Sequence, residues 1–240
     1  MAEHRIFPHG LPERLSDGVW LVAGGLQFPL RRNMIVLQLP SGELLLHSVV
    51  ALGEDGLKAL EALGKPAYVI VPSVAHQLDS RFYHQRFPEL KFVTPAFARD
   101  EVAKRVPVFA IAEEFLPPLG FVLHTVTGTR IAEYAYEWPL PSGGRMLMLN
   151  DLLGGGHFED RTSRMGRLLI RHMGPPNGRL DISRIFRLTQ TTDAKAIRRL
   201  AGELAKIPDL RLITVSHGDP VTNDAAGALR AVASDLPRGA

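Results

Sequence analysis

Ala67-Tyr68-Val69-Ile70-Val71-Pro72-Ser73-Val74-Ala75-His76-Gln77-Leu78-Asp79 is the stretch that decides how this chain is read. Its first five residues are apolar, rich in β-formers and too few for a helix, so they predict a strand buried on both faces. The strand stops at a polar loop that carries His76 and Asp79. Two later apolar runs end the same way. Met146-Leu147-Met148-Leu149 runs into Asn150-Asp151, and Leu212-Ile213-Thr214-Val215 runs into Ser216-His217-Gly218-Asp219. Buried strands that stop at a His or an Asp bring ligands from distant sequence into one pocket, and imidazole and carboxylate are the usual donors to zinc, iron or manganese. The pattern points to a metal pocket on a sheet edge.

Upstream of this stretch the chain reads as a meander. Residues 18–22 and 33–39 alternate as strands, Pro40-Ser41-Gly42 makes a turn, and 43–47 returns. Glu54 to Leu63 has helical spacing, with Leu57, Leu60 and Leu63 on one side and Gly64-Lys65-Pro66 as the stop. Downstream, helices are predicted over 79–87 and 95–104 around a short strand at 91–94. Three strands follow at 121–125, 131–138 and 145–149, the last two joined by a turn at 139–144. Two basic, helical pieces flank the breaker Gly174-Pro175-Pro176-Asn177-Gly178. Thr192-Asp193 caps a helix running to about Lys206, 211–215 is a strand, and a final helix begins near Val221. A meander followed by βα units, then the same again, gives an α/β (α+β) chain with two sheets packed face to face and helices outside. No repeat and no boundary divides it, so one domain over residues 1–240 is expected.

Composition narrows the class. The chain has 240 residues, 45% hydrophobic and 22% charged, enough to bury a core without staples. It contains no cysteine, which removes disulfides and thiolate metal sites and leaves His, Asp, Glu and backbone as donors. No run approaches the roughly 18 apolar residues of a membrane helix, and Met1-Ala2-Glu3-His4-Arg5 leads into no apolar stretch of a signal peptide. A cytoplasmic protein without a membrane partner is expected. The small excess of +3 charges is uneven: Arg161, Arg164, Arg167, Arg171, Arg179, Arg184, Arg187, Arg198 and Arg199 crowd one region. Clustered Arg binds phosphate or nucleic acid. Without interleaved aromatics, a solvated face paired with acids is preferred, and a nucleic-acid partner is not expected.

The order of elements and polar signals resembles the metallo-β-lactamase superfamily, an αββα four-layer sandwich with its metal groove at one edge of the two sheets. The resemblance spans about residues 15 to 235. The family motif Thr-His-x-His-x-Asp-His aligns with Ser73 to Asp79. His76 matches its second His, Val74 replaces the first, Leu78 replaces the Asp and Asp79 replaces the last His. The Gly-His pair of the family is Gly128-Thr129 here, so that ligand is lost. Asp151 matches the Asp that closes a strand, and His217 matches the final His. A closer similarity is to a branch with a degenerate motif and no settled activity, on Leu46-His47-Ser48, Val71-Pro72-Ser73-Val74-Ala75-His76, Phe87-Pro88, Asp151-Leu152 and His217-Gly218.

The resemblance implies a site of His47, His76, Asp151 and His217, with Asp151 the catalytic candidate. His47 replaces an Asp that orients a ligand in the family, and an imidazole there can bind metal itself. Three His and one Asp suit a mononuclear zinc, with iron or manganese as alternatives. The competing reading is a metal-free groove whose polar groups are satisfied by water. Asp79 is either a carboxylate ligand or, preferably, the N-cap of the helix that follows. His84 is read as a groove residue, His124 as core, and His157 and His172 as solvated. Gly154-Gly155-Gly156 is a hinge or turn, or a place for backbone N–H groups to face an anion. With a metal and an open position, the expected chemistry is hydrolysis of a small-molecule substrate. The runner-up is a non-catalytic sandwich domain that binds rather than reacts.

Overall fold

The computed structural model describes residues 5–26, 30–156, 168, 172–175 and 179–236. The chain gathers into two compact units, one on each side of the Leu119–Gly120 peptide except that Leu30 and Arg31 belong with the second. The first holds a seven-stranded sheet in sequence order: β1 (Glu13–Ser16), β2 (Val19–Gly24), β3 (Arg32–Gln38), β4 (Leu44–His47), β5 (Pro66–Ile70), β6 (Lys91–Thr94) and β7 (Val108–Ile111). The first four strands are antiparallel neighbours, as the meander requires. From β4 onward every pair is parallel. The crossovers are supplied by α1 (Glu54–Glu61), α2 (Ser80–Arg86) and α3 (Arg99–Ala103), and α4 (Ala112–Phe115) follows β7.

Parallel pairing has a consequence for function. It brings the carboxyl ends of β4 and β5 to one edge, His47 opposite Ile70. The chain leaves that edge toward His76. Leu57 and Leu60 on α1 and Val102 on α3 bury against Val36, Leu46, Val69 and Phe92. That apolar stripe, more than helix propensity, holds such short helices in place. The predicted helix over 95–104 is a 3₁₀ turn, Ala96–Ala98, followed by α3. Sequence reading missed β1, whose Glu13-Arg14-Leu15-Ser16 has no apolar alternation, and β7, which follows Pro107 at the sheet edge.

The second unit holds a four-stranded sheet in the order β11-β10-β9-β8. Its members are β8 (Val122–Thr125), β9 (Tyr134–Pro139), β10 (Arg145–Leu149) and β11 (Leu210–Val215). β8, β9 and β10 form an antiparallel meander, whereas β10 and β11 are parallel. Three helices accompany them: α5 (Arg184–Thr189), α6 (Ala194–Leu204) and α7 (Ala225–Asp235). Ile197 and Leu204 of α6 and Leu229 and Val232 of α7 share a core with Leu147, Leu149, Ile213 and Val215.

Asp193 caps α6 as the sequence predicts, its Oδ1 accepting from the N–H of Lys195 and Ala196 at 2.8 and 3.0 Å. The last helix corrects the predicted start near Val221. Val221 pairs with Ile213 in an extended bridge through two backbone hydrogen bonds, so α7 waits for the Asp224 cap. Among the described residues no helix is long and apolar enough to cross a membrane. His157 and Arg161, Arg164, Arg167 and Arg171 lie outside the described residues. Of the described arginines, Arg179 pairs with Asp235, Arg187 with Asp181 and Arg199 with Asp193.

Candidate metal centre

In the first unit the strand end is fixed before the loop begins. The Val71 N–H donates to the Val93 carbonyl at 2.8 Å, and the Thr94 hydroxyl donates to the Val71 carbonyl at 2.8 Å. A 3₁₀ turn, Val74–His76, then buries the His76 ring. Its Nδ1 lies 2.8 Å from the Ser48 hydroxyl, which serves as donor or acceptor as the imidazole requires. Ser48 adopts the left-handed conformation at φ 57° while its N–H holds the Ile70 carbonyl. A non-glycine residue there stores strain, and such strain collects at functional sites. It turns the chain after β4 so that the hydroxyl reaches His76.

His47, the last residue of β4, is buried, and its pKa is lowered to about 3, first by desolvation and then by the charge of His76. The ring is therefore neutral at physiological pH. Val74 and Leu78, which stand where family ligands would be, are exposed apolar side chains without donor atoms. Asp79 occupies the N-cap position of α2, but its carboxylate makes no capping bond. This corrects the cap reading. Asp79 Oδ2 accepts from the Arg32 guanidinium and from the Ala51 N–H at 2.8 Å. His84 packs edge-on to Phe92, with ring centroids 5.9 Å apart.

In the second unit, parallel pairing of β10 with β11 sets Leu149 opposite Val215, and the Ser216 N–H continues the ladder to the Leu149 carbonyl. The residues that follow each strand must then emerge side by side. His217 Nε2 comes to 3.3 Å from Asp151 Oδ1, with both side chains about four-fifths buried. His217 Nδ1 is 2.7 Å from the Arg31 carbonyl. A carbonyl only accepts, so Nδ1 carries the proton and, in the neutral ring, Nε2 presents its lone pair toward Asp151. Metal-ligating histidines are held this way, with one nitrogen tied to an acceptor and the other free to bind.

Two features that position Asp151 escaped the sequence reading. Glu133 is buried, and its carboxylate accepts from the N–H of Asn150 at 2.9 Å and of Asp151 at 3.2 Å. Burial, and then the charge of Asp151, push its pKa above the usual range for a carboxylate. The available signal was an acid immediately before the β9 strand. The other feature is the contact of Gly155 with Gly218. A Cβ on Gly155 would lie 2.1 Å from the Asp219 carbonyl oxygen, and one on Gly218, at φ 99°, would lie 2.5 Å from the Gly155 carbonyl oxygen. The Gly155 N–H also donates to the His217 carbonyl at 2.9 Å. The glycine run thus serves close backbone approach between the Asp151 and His217 loops, in place of the hinge that the sequence suggested.

His124 is bound to Glu137 at 2.8 Å, and the Thr129 hydroxyl donates to the Ile131 carbonyl at 2.7 Å. Among the described residues, His76 of the first unit and Asp151 and His217 of the second are the candidate metal ligands. That group does not extend to His47. Two imidazoles and one carboxylate are a donor set that zinc accepts in sites with three protein ligands and an open fourth position, so the residues present fit the ion.

No protein-family model and no curated protein sequence matches the chain. Solved structures do. A metallo-β-lactamase from Erythrobacter litoralis aligns over 94% of this chain and 96% of its own, at 16% identity and a TM-score of 0.58. One from Hirschia baltica aligns over 95% and 98%, at 12% identity and a TM-score of 0.60. The mono-zinc form of FIM-1 from Pseudomonas aeruginosa aligns over 96% of each chain, at 10% identity and a TM-score of 0.60. The chain therefore has the metallo-β-lactamase fold, the αββα class expected from its sequence. At these identities the likeness carries the fold and not the activity.

Proposed function

We propose that the protein is a metal-dependent hydrolase with a mononuclear site held by His76, Asp151 and His217, zinc being the first choice of ion. The observation that carries this reading is the His217 ring: its Nδ1–H is committed to the Arg31 carbonyl, and its Nε2 is turned to the Asp151 carboxylate. When bound, the ion supplies a polarising charge and a water of pKa near about 7. Asp151 carries the negative charge of the ligand set and, as catalytic residue, orients the nucleophile. Glu133 fixes the backbone of Asp151, and Ser48 fixes the ring of His76. His47 stays neutral through burial and so adds no competing charge beside His76. A small-molecule substrate, a single domain and a cytoplasmic location belong to the same proposal.

A second reading is favoured by Val74 and Leu78, which remove two donors from the motif. It makes the protein a binding module that kept the fold and lost the chemistry. Protein purified without chelators separates the two. The hydrolase reading expects about one equivalent of zinc, iron or manganese, absent from the His76→Ala/His217→Ala variant, with EDTA lowering stability. Metal-free protein whose stability ignores EDTA supports the binding module.

A further inference from the structure

β7 is the last strand of the seven-stranded sheet: β6 pairs with one side of it, and among the described residues no strand pairs with the other. An open edge exposes a row of backbone N–H and C=O groups, which proteins ordinarily guard with charge or proline. Val108-Phe109-Ala110-Ile111 contains neither. The ladder to β6 skips one residue, Phe109, between the pairs Phe92–Val108 and Val93–Ala110. Bulges of this kind re-aim a side chain, and Phe109 is 53% exposed. Its ring is nevertheless held, edge-on to Phe115 with centroids 5.7 Å apart and with Lys91 Nζ 4.9 Å from its own centroid. A fixed, exposed aromatic ring is the kind of anchor on which interfaces are built.

Charge singles out the occupant. The segment reads Lys104-Arg105-Val106-Pro107-Val108-Phe109-Ala110-Ile111-Ala112-Glu113-Glu114. Lys104 and Glu114 stand five residues to either side of Phe109, and Arg105 and Glu113 stand four. A second copy laid antiparallel, Phe109 against Phe109, sets each base beside an acid, and does so twice because the contact is symmetric. A parallel arrangement would set like charges together. Lys104, Arg105 and Glu114 are exposed, and Glu113 is half-buried. Lys104 also pairs with Glu101, and Glu113 also accepts from the Ala96 N–H at 3.1 Å. Exposed contacts of this sort are weak and leave the charges available to a partner.

We propose that the β7 edge is a self-association surface: two copies of the chain meet antiparallel at Phe109 in a symmetric dimer. The inference is independent of the metal site. A four-residue edge is small for an interface, so association is weak and shows at high protein concentration. Sedimentation equilibrium from about 5 to about 500 µM, with circular dichroism as the check on folding, tests it. Wild type shifts from monomer to dimer across that range. Phe109→Glu, which places a charge on the edge, stays monomeric. Lys104→Glu alone and Glu114→Lys alone each weaken the dimer by about fivefold or more, whereas an equimolar mixture of the two, and the double variant, recover it to within about twofold.

A wild type that is monomeric throughout overturns the inference, as does a dimer that Phe109→Glu leaves intact, since it would use another face. Should Phe109→Glu fail to fold, the charge variants decide. Single variants that dimerise as well as wild type, or a mixture no stronger than its components, end the inference.

Discussion

Glu133 makes the proposed metal centre depend on a residue outside its ligand set. Its two carboxylate oxygens hold the N–H groups of Asn150 and Asp151. Glu133→Ala leaves those donors buried without acceptors, at about 1–3 kcal/mol each. The melting temperature should fall by several degrees and zinc affinity by about 10–100-fold, read by calorimetry and zinc titration. Unchanged values would show that the loop holds itself. His47 makes a prediction with a sign. Its folded pKa lies near 3, below the ordinary 6.5, so between those values the unfolded chain binds the extra proton. Stability is full above pH 6.5 and is lost as pH falls toward 3, by up to about 1.4 kcal/mol per pH unit from this group. In chelator-treated His47→Leu, that part of the slope measured by urea unfolding should vanish. At this scale sequence pointed to His76, Asp151 and His217 because each closes an apolar run. Glu133 fell within the strand predicted over 131–138 but lies just before β9, and the pairing of Asp79 with Arg32 depends on a contact 47 residues away in the chain.

At the scale of elements, the site half that carries Asp151 and His217 is made by two parallel strands and two glycines. Parallel register fixes which residues leave the sheet together, and the Gly155–Gly218 contact fixes how closely they run. Gly155→Ala places a methyl group inside the Asp219 backbone, which neither loop can yield without moving its ligand. The expected result is a loss of about 1–3 kcal/mol or more, together with zinc affinity, whereas Gly202→Ala, where a Cβ meets open space inside α6, should leave both intact. Equal effects of the two substitutions would refute the close-approach account. The strands themselves were legible because β5, β10 and β11 are short apolar runs with clear stops. β1 and β7 were not, since a charged edge strand and a strand after proline carry little hydrophobic pattern. Val221 misled for a related reason: it continues an extended chain by pairing with Ile213, a tertiary choice that local propensity does not contain.

At the scale of the molecule, the fold was legible because the order of meander, crossovers and polar strand ends survives when individual ligands do not. The single domain around one ion proposed above should unfold in a single calorimetric transition. Excess zinc at about 100 times Kd should add about 2.7 kcal/mol of stability, and chelator should remove it. Two separate transitions, with only one of them moved by zinc, would contradict the single domain. The most direct test is anomalous diffraction at the zinc edge from crystals grown with zinc. The account predicts one peak about 2.0–2.2 Å from a His76 nitrogen, an Asp151 oxygen and His217 Nε2. Crystals with no peak there, or with the three side chains facing solvent while zinc lies elsewhere, would contradict it.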